Sequence, residues 1–331
     1  MTARRIAVCG SGSIGRRHLR NLRGAGCLAV FAYDPSPDAA AAAAAELNVT
    51  ACTDLDSLWR LQPQVLFVTS PSSEHLALAL EGARRGCDLF VEKPVSDRLD
   101  GLAELRRIVE DRGLVTMVGC NMRFHPGPAA VKRLVDAGAV GRVIAGRIHT
   151  GSYLPGWRPW MRYEDSYSAD PARGGGALLD CIHEIDLALW YFGRAELLAS
   201  AVRRADTLGI AVDGLAELLL EHESGVLSSV HLNFVQRDYR RSCQVIGDTG
   251  TIYWDFDRPQ VSVLRGGDQD EVHPLDPQWQ PSQMYVDELS AFLAAVERRE
   301  QTFSTIADGE AALRIALAAR AHAVRTEKIQ A

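Results

Sequence analysis

The chain has 331 residues, too many for one comfortable small core, so two domains are the natural expectation. With 47% hydrophobic and 24% charged residues the composition is that of a globular protein, and a net charge of −6 argues against the clustered basic surface of a nucleic-acid binder. No apolar stretch approaches the length of a membrane span, which excludes that class of partner as well.

Seven cysteines without a C-x-x-C pair read as free thiols in a reducing compartment. The chain runs from Met1 straight into a strand at Arg5 to Val8, leaving no room for a signal peptide, and a cytoplasmic location is expected.

In chain order, Ile6-Ala7-Val8-Cys9 reads as a strand, Ile14 to Gly24 as a helix and Leu28 to Tyr33 as a second strand. An alanine-rich helix runs from Asp38 to Leu47, since alanine is the best helix former. Val65 to Val68 is the next strand, and Glu74 to Arg85 a helix ended by Gly86. Leu89-Phe90-Val91 and Val115 to Val118 are strands with a helix from Leu99 to Glu110 between them. This alternation predicts a doubly wound parallel sheet, an α/β domain over residues 1–122.

The pattern then changes. Strands are expected over Val143 to Tyr153, Ala216 to Glu221, Val226 to Val235, Ser242 to Ile246 and Thr251 to Phe256. Glu223-Ser224-Gly225 and Gly247-Asp248-Thr249-Gly250 carry hairpin chemistry, so residues 123–331 form an α+β domain with antiparallel pairing. Helices from about Met284 to Arg298 and from Asp308 to Arg325 close the chain.

Gly10-Ser11-Gly12-Ser13-Ile14-Gly15 follows the first strand and opens the first helix, with Asp34 about twenty positions on. Gly10 permits the tight turn, Gly12 lets backbone approach a pyrophosphate, and Gly15 lets helix and strand pack closely. The first turn, with Ser13 and Ile14, would hold the pyrophosphate on its N–H groups. Asp34 would accept the adenosine ribose hydroxyls and repel a 2′-phosphate, which favours NAD over NADP. Thr69, Ser70 and Pro71 end the next strand and would line the same cleft; His75 either joins them or is a surface or helix-start histidine.

Glu92-Lys93-Pro94 closes a strand at the edge where such a sheet binds ligands, and Lys93 is a candidate stabiliser of charge on a reacting oxygen. Gly174-Gly175-Gly176 leads into Asp180, His183 and Asp186. Asp180 and His183, three apart, would share a helix face, with the histidine as proton carrier. The same residues read alternatively as a helix cap and a satisfied core histidine, or as metal ligands; no fourth ligand is evident and no metal is expected.

In combination these motifs, with Gly119-Cys120-Asn121-Met122-Arg123-Phe124, resemble the glucose–fructose oxidoreductase/inositol dehydrogenase (Gfo/Idh/MocA) family over nearly the whole chain. The resemblance implies a Rossmann domain followed by a large, mostly antiparallel open sheet. It also implies NAD-dependent redox on a sugar, sugar derivative or cyclitol, in a homodimer or homotetramer built on that sheet. Carried over, Lys93 and His183 are catalytic, Asp180 assists in the substrate site, and Glu92 belongs to the cofactor cleft. The chain departs from the family pattern in one place: a residue is missing between Asp180 and His183. Anchoring on the glycines would put Glu184 in the histidine's place; His183 is preferred because Asp186 keeps its offset from it.

Asn121 and Arg123 point toward the cleft, and Arg123 reads alternatively as a brace at the domain junction. Trp157, Arg162 and Tyr163 could stack on and bind an acidic or nucleotide-linked sugar, or belong to a loop that packs over its own domain or reaches a neighbouring subunit. Two other readings remain beside a net dehydrogenase: transient redox in a glycosidase or epimerase, and a non-catalytic sensor of sugar and NAD.

Overall fold

The computed structural model describes residues 4–322. The described residues divide into two compact units, 4–121 with 282–310, and 122–281 with 311–322.

The first unit is built on a six-stranded, all-parallel sheet. Its strands are β1 (Ile6–Cys9), β2 (Val30–Tyr33), β3 (Thr50–Cys52), β4 (Val65–Val68), β5 (Asp88–Glu92) and β6 (Thr116–Gly119), in the order β3-β2-β1-β4-β5-β6. The helices between them are α1 (Ser13–Gly24), α2 (Pro37–Leu47), α3 (Leu55–Arg60), α4 (Ser72–Arg84) and α5 (Leu102–Arg112). Strands β1, β4 and β5 are buried along their whole length, as expected of a sheet covered on both faces. Strand order reverses between β1 and β4, which makes the crevice at their carboxyl ends the ligand site of this architecture.

The sequence reading omits β3 and α3, each six residues or shorter and too brief for periodicity to show. It also places all of 123–331 in the second domain, whereas Ser282–Glu310 belongs to the first unit. The reason is packing. Phe292, fully buried on α9 (Gln283–Arg298), meets Phe67 and Phe90 edge-on at 5.6 and 5.5 Å between ring centroids. Ser304 Oγ then donates to the Val118 carbonyl, holding the chain against β6.

The second unit carries an eight-stranded sheet. Its strands are β7 (Val143–Tyr153), β8 (Ala195–Arg204), β9 (Asp213–His222), β10 (Leu227–Asn233), β11 (Val235–Gly247), β12 (Thr251–Asp255), β13 (Gln260–Leu264) and β14 (Glu271–Pro274). They run in the order β14-β13-β12-β11-β7-β10-β9-β8, and every pair is antiparallel except β7 with β10. Helices α6 (Pro126–Asp136), α7 (Ala177–Asp180) and α8 (His183–Phe192) lie in this unit, and α8 packs against β7 and β10. Alternation in β9 is regular: Ala216, Leu218 and Leu220 are buried while Glu217, Leu219 and Glu221 are exposed. The two expected hairpins join β9 to β10 and β11 to β12. Strands β8, β13 and β14 are absent from the sequence reading; β8, Ala-Glu-Leu-Leu-Ala-Ser-Ala-Val-Arg-Arg, has helix-forming composition that sheet pairing overrides.

The last helix, α10, spans Ile306–His322, and the end of the expected helix, residues 323–325, lies outside the described residues. Among the described residues no helix is long and apolar enough to cross a membrane.

Candidate active site

At the switch point the chain leaves β1 through Gly10, whose φ of +107° favours glycine. A Cβ at Gly10 would lie 2.5 Å from the Ser70 backbone nitrogen, and one at Gly15 only 1.8 Å from the Gly10 carbonyl oxygen. At Gly12 a Cβ would meet nothing within 4 Å, so this glycine borders open space. Helical bonding begins with Arg16 N–H donating to the Gly12 carbonyl, which leaves the N–H groups of Ser13, Ile14 and Gly15 ahead of the first turn's bonds.

Asp34, at the end of β2, is oriented by two backbone donors: Ser11 N–H to Oδ2 at 2.7 Å and Ser36 N–H to Oδ1 at 3.0 Å. A carboxylate has about four lone-pair positions, so acceptor capacity remains for hydroxyls. Thr69 is buried, and its hydroxyl lies 2.8 Å from the Gly10 carbonyl and 3.0 Å from that of Cys9, stapling the β1 and β4 loops. Pro71 precedes the first turn of α4.

The polar atoms of this unit that are buried without a protein partner include the hydroxyl oxygens of Ser11 and Ser70 and the side-chain carbonyl of Asn121 at the end of β6. Orphaned donors and acceptors at strand carboxyl ends, together with the open space at Gly12, fit a polar dinucleotide.

Lys93 emerges half-buried at the end of β5, with a cis bond to Pro94. Glu92 is buried, and its Oε1 lies 2.7 Å from Nε2 of His18, a fully buried ring on α1. Its Oε2 accepts the Lys93 backbone N–H at 3.2 Å. Phe67 and Phe90 pack against the His18 ring at 5.5 and 4.9 Å. His18 escapes the sequence reading, although its place three residues after Gly15 puts both on one helix face, and that spacing was the available signal. His75 is buried on α4, and its two ring nitrogens reach the carbonyls of Pro94 and Ser70, each at 2.8 Å.

In the second unit Asp180 and His183 do not share a helix face. Asp180 ends α7, His183 begins α8, and Cys181 and Ile182 make the turn between them. The short segment leading in is steered by Asp213, which accepts the Leu178 N–H at 2.8 Å and bonds Arg320 at 2.7 Å. Asp180 and His183 are each 7% exposed. The Tyr167 hydroxyl donates to Asp180 Oδ1 at 2.8 Å, a partner 13 residues away that sequence spacing does not disclose. Arg158 lies over the Tyr167 ring at 5.0 Å.

Arg123 is buried with its Nε and Nη2 on the two oxygens of Asp186, at 2.9 and 2.6 Å. Glu184, also fully buried, pairs with Arg241 Nε of β11 at 2.7 Å. Trp157 donates its indole N–H to Ser152 Oγ, and its ring meets Phe234 edge-on. The Tyr163 hydroxyl donates to the Leu208 carbonyl, while Arg162 is exposed beside Glu164.

Comparison with known proteins agrees with this architecture. The oxidoreductase family model with an NAD-binding Rossmann fold matches residues 4–120, and the GFO/IDH/MocA C-terminal domain matches residues 129–253. Inositol 2-dehydrogenase of Burkholderia multivorans is 30% identical over 320 residues, covering 93% of this chain and 90% of that protein. The scyllo-inositol 2-dehydrogenase (NAD(+)) of Bacillus subtilis is 27% identical over 335 residues, 95% of this chain and 92% of that protein. Among solved structures, levoglucosan dehydrogenase in complex with NADH and levoglucosan has the same fold, with a TM-score of 0.87 at 20% identity over 97% of each chain. The chain belongs to the GFO/IDH/MocA family of oxidoreductases, and its cofactor is NAD.

Proposed function

We propose that the protein moves a hydride between NAD(H) and a secondary carbinol carbon of a cyclitol or sugar, giving the ketone and one released proton in the oxidising direction. The named activities of the relatives supply the substrate class. The observation that carries the reading is Lys93 at the carboxyl end of β5, its backbone N–H held by the buried Glu92 carboxylate.

When bound, the nicotinamide supplies the hydride acceptor or donor. Gly10, Gly12, Ser13, Ile14 and Gly15 would cradle the pyrophosphate, Asp34 the adenosine ribose, and Ser11, Ser70 and Asn121 have polar atoms to spare for cofactor or substrate. Lys93 presents a compact point charge that steadies an alkoxide, a task for which the planar arginine fork is a different tool. This chain has only three lysines, Lys93, Lys132 and Lys328, among 36 basic residues, so a lysine at this position stands out against its own composition. His183 carries the hydroxyl proton, and Asp180, oriented by Tyr167, receives substrate hydroxyls.

Arg123 serves as a brace, since Asp186 takes its fork. Trp157 and Tyr163 support the loop that carries them, each through a hydrogen bond within the second unit. We infer a cytoplasmic location from the seven unpaired cysteines, and association of copies through the outer face of the second sheet, where Leu219, Leu227, Tyr253 and Leu264 are exposed. The test is turnover: NADH formation with a panel of cyclitols and sugars, in the wild type and in Lys93→Met.

A further inference from the structure

Buried imidazoles flank Glu92-Lys93-Pro94. His18 binds the carboxylate before Lys93, and His75 binds the carbonyl after it. The two rings differ in a way that matters.

His18 has one acceptor, Glu92 Oε1, and its Nδ1 has no partner, so a single proton on Nε2 satisfies the contact. His75 has two acceptors. Its Nδ1 lies 2.8 Å from the Pro94 carbonyl and its Nε2 2.8 Å from the Ser70 carbonyl, and neither oxygen can donate. A neutral ring bonds one carbonyl and turns a bare lone pair toward the other; only a ring with two protons bonds both.

We propose that His75 is a positioning residue for Lys93: it ties the Pro94 carbonyl to the Ser70 carbonyl, and does so fully only when both ring nitrogens carry protons. The inference rests on Lys93 being the cation of the reaction. One contact thereby joins the loop after β4, which carries the orphaned Ser70 hydroxyl, to the segment that aims the lysine.

The charged groups facing His75 are Glu92, which favours the second proton, and Lys93, which opposes it, both from the end of β5. On its own helix turn Arg98 reaches the Ser73 carbonyl. Burial is the largest influence and pushes the ring below its ordinary value, against the pull of the two carbonyls. The second proton is therefore taken up on the acid side of the usual histidine range, and near neutrality the neutral ring divides its single proton between two competing carbonyls.

The experiment uses the full chain labelled with 15N-histidine and 13Cε-lysine. Three lysines give three signals, and Lys93 is assigned by its loss in Lys93→Met, His75 by its loss in His75→Gln or His75→Asn. We expect the His75 ring to pass from one to two protonated nitrogens as pH falls, with the Lys93 signal moving at the same midpoint, and that lysine response to vanish in His75→Gln. The same variant should lose about tenfold to a hundredfold in kcat/KM and keep a pH profile without the His75 step.

A ring holding one fixed tautomer from pH 5 to 8, or a Lys93 signal indifferent to the ring's titration, overturns the proposal. Both are read on the wild type, and either His75 variant suffices for the ring assignment, so the failure of one of them to fold leaves the answer intact. Normal turnover by Lys93→Met would instead sink the reading of Lys93, even if ring and lysine signals moved together.

Discussion

Two glycines three residues apart give the sharpest test of the cofactor loop. Alanine at Gly15 puts a methyl 1.8 Å from the Gly10 carbonyl oxygen and 2.9 Å from Thr69 Oγ1. Relief needs the Gly10 carbonyl to retreat by more than about 1 Å, well beyond what packed interiors absorb without strain. That carbonyl is held by Thr69, and Gly10 itself sits at φ +107° against the Ser70 backbone, so neither neighbour yields cheaply. The expected cost is about 3 kcal/mol, from overpacking and the lost Thr69 bond together. In thermal unfolding that is a fall in Tm of roughly 6–12 °C.

Alanine at Gly12 meets nothing within 4 Å, and its φ of −70° with ψ −167° suits any residue. Stability should hold, or rise by a few tenths of a kcal/mol (~0.4) through the stiffer unfolded chain. Dinucleotide binding should nonetheless weaken at least about tenfold, because the methyl fills the space a pyrophosphate approaches, a penalty of ~1.4 kcal/mol or more. The assays are differential scanning calorimetry of the free protein and calorimetric titration with NAD+. Equal Tm values for the two variants, or unchanged NAD+ affinity in Gly12→Ala, would refute the reasoning.

Three further outcomes follow from named contacts. Replacing Asp34 by serine should narrow the preference for NADH over NADPH by at least about tenfold, since the repelling carboxylate is gone; titration with both cofactors checks this, and an unchanged ratio would remove Asp34 from the selection. His125 has its pKa pushed down to about 4, first by burial and then by Arg241, and its Nδ1 accepts the Gly127 N–H that caps α6. The unfolded chain protonates this ring near pH 6.5 and the folded chain near 4, so stability should fall as pH drops through that window, by at most roughly 3 kcal/mol, and level off below it. Urea melts at pH 7 and 4.5 should show that loss shrinking in His125→Asn, which keeps a cap but does not titrate. Finally, a Leu219→Asp, Leu227→Asp double variant should sediment as a smaller species than the wild type; two equal sedimentation coefficients would contradict association through that face.

The loop proposed to hold the dinucleotide is legible in sequence because its geometry is local. Gly10, Gly12 and Gly15 lie within one turn of a strand end, and Asp34 follows at the end of the next strand, so short-range geometry fixes their spacing. The arrangement of the proposed substrate residues is less so. A three-residue spacing suggests one helix for Asp180 and His183, yet Gly176 at φ +114° and the Asp213 cap start α7 only at Ala177, and Cys181, at φ −96° and ψ 29°, departs from helical geometry just after Asp180. Contacts spanning long stretches leave no trace in local pattern: Tyr167 with Asp180, His18 with Glu92, and Phe292 with Phe67 and Phe90. The last of these moves a whole helix from one unit to the other. Arg123 shows the opposite limit, since its residue type suits either a ligand or a brace, and only the position of Asp186 identifies its partner.

The measurement that bears most directly on the account is NADH absorbance on mixing the protein with NAD+ and a panel of cyclitols and sugars, with Lys93→Met alongside. Net NADH formation with at least one polyol is expected, falling by at least about a hundredfold in the variant while NAD+ affinity stays within a few-fold. Equal rates in wild type and Lys93→Met, or turnover of a sugar with no net NADH, would contradict it.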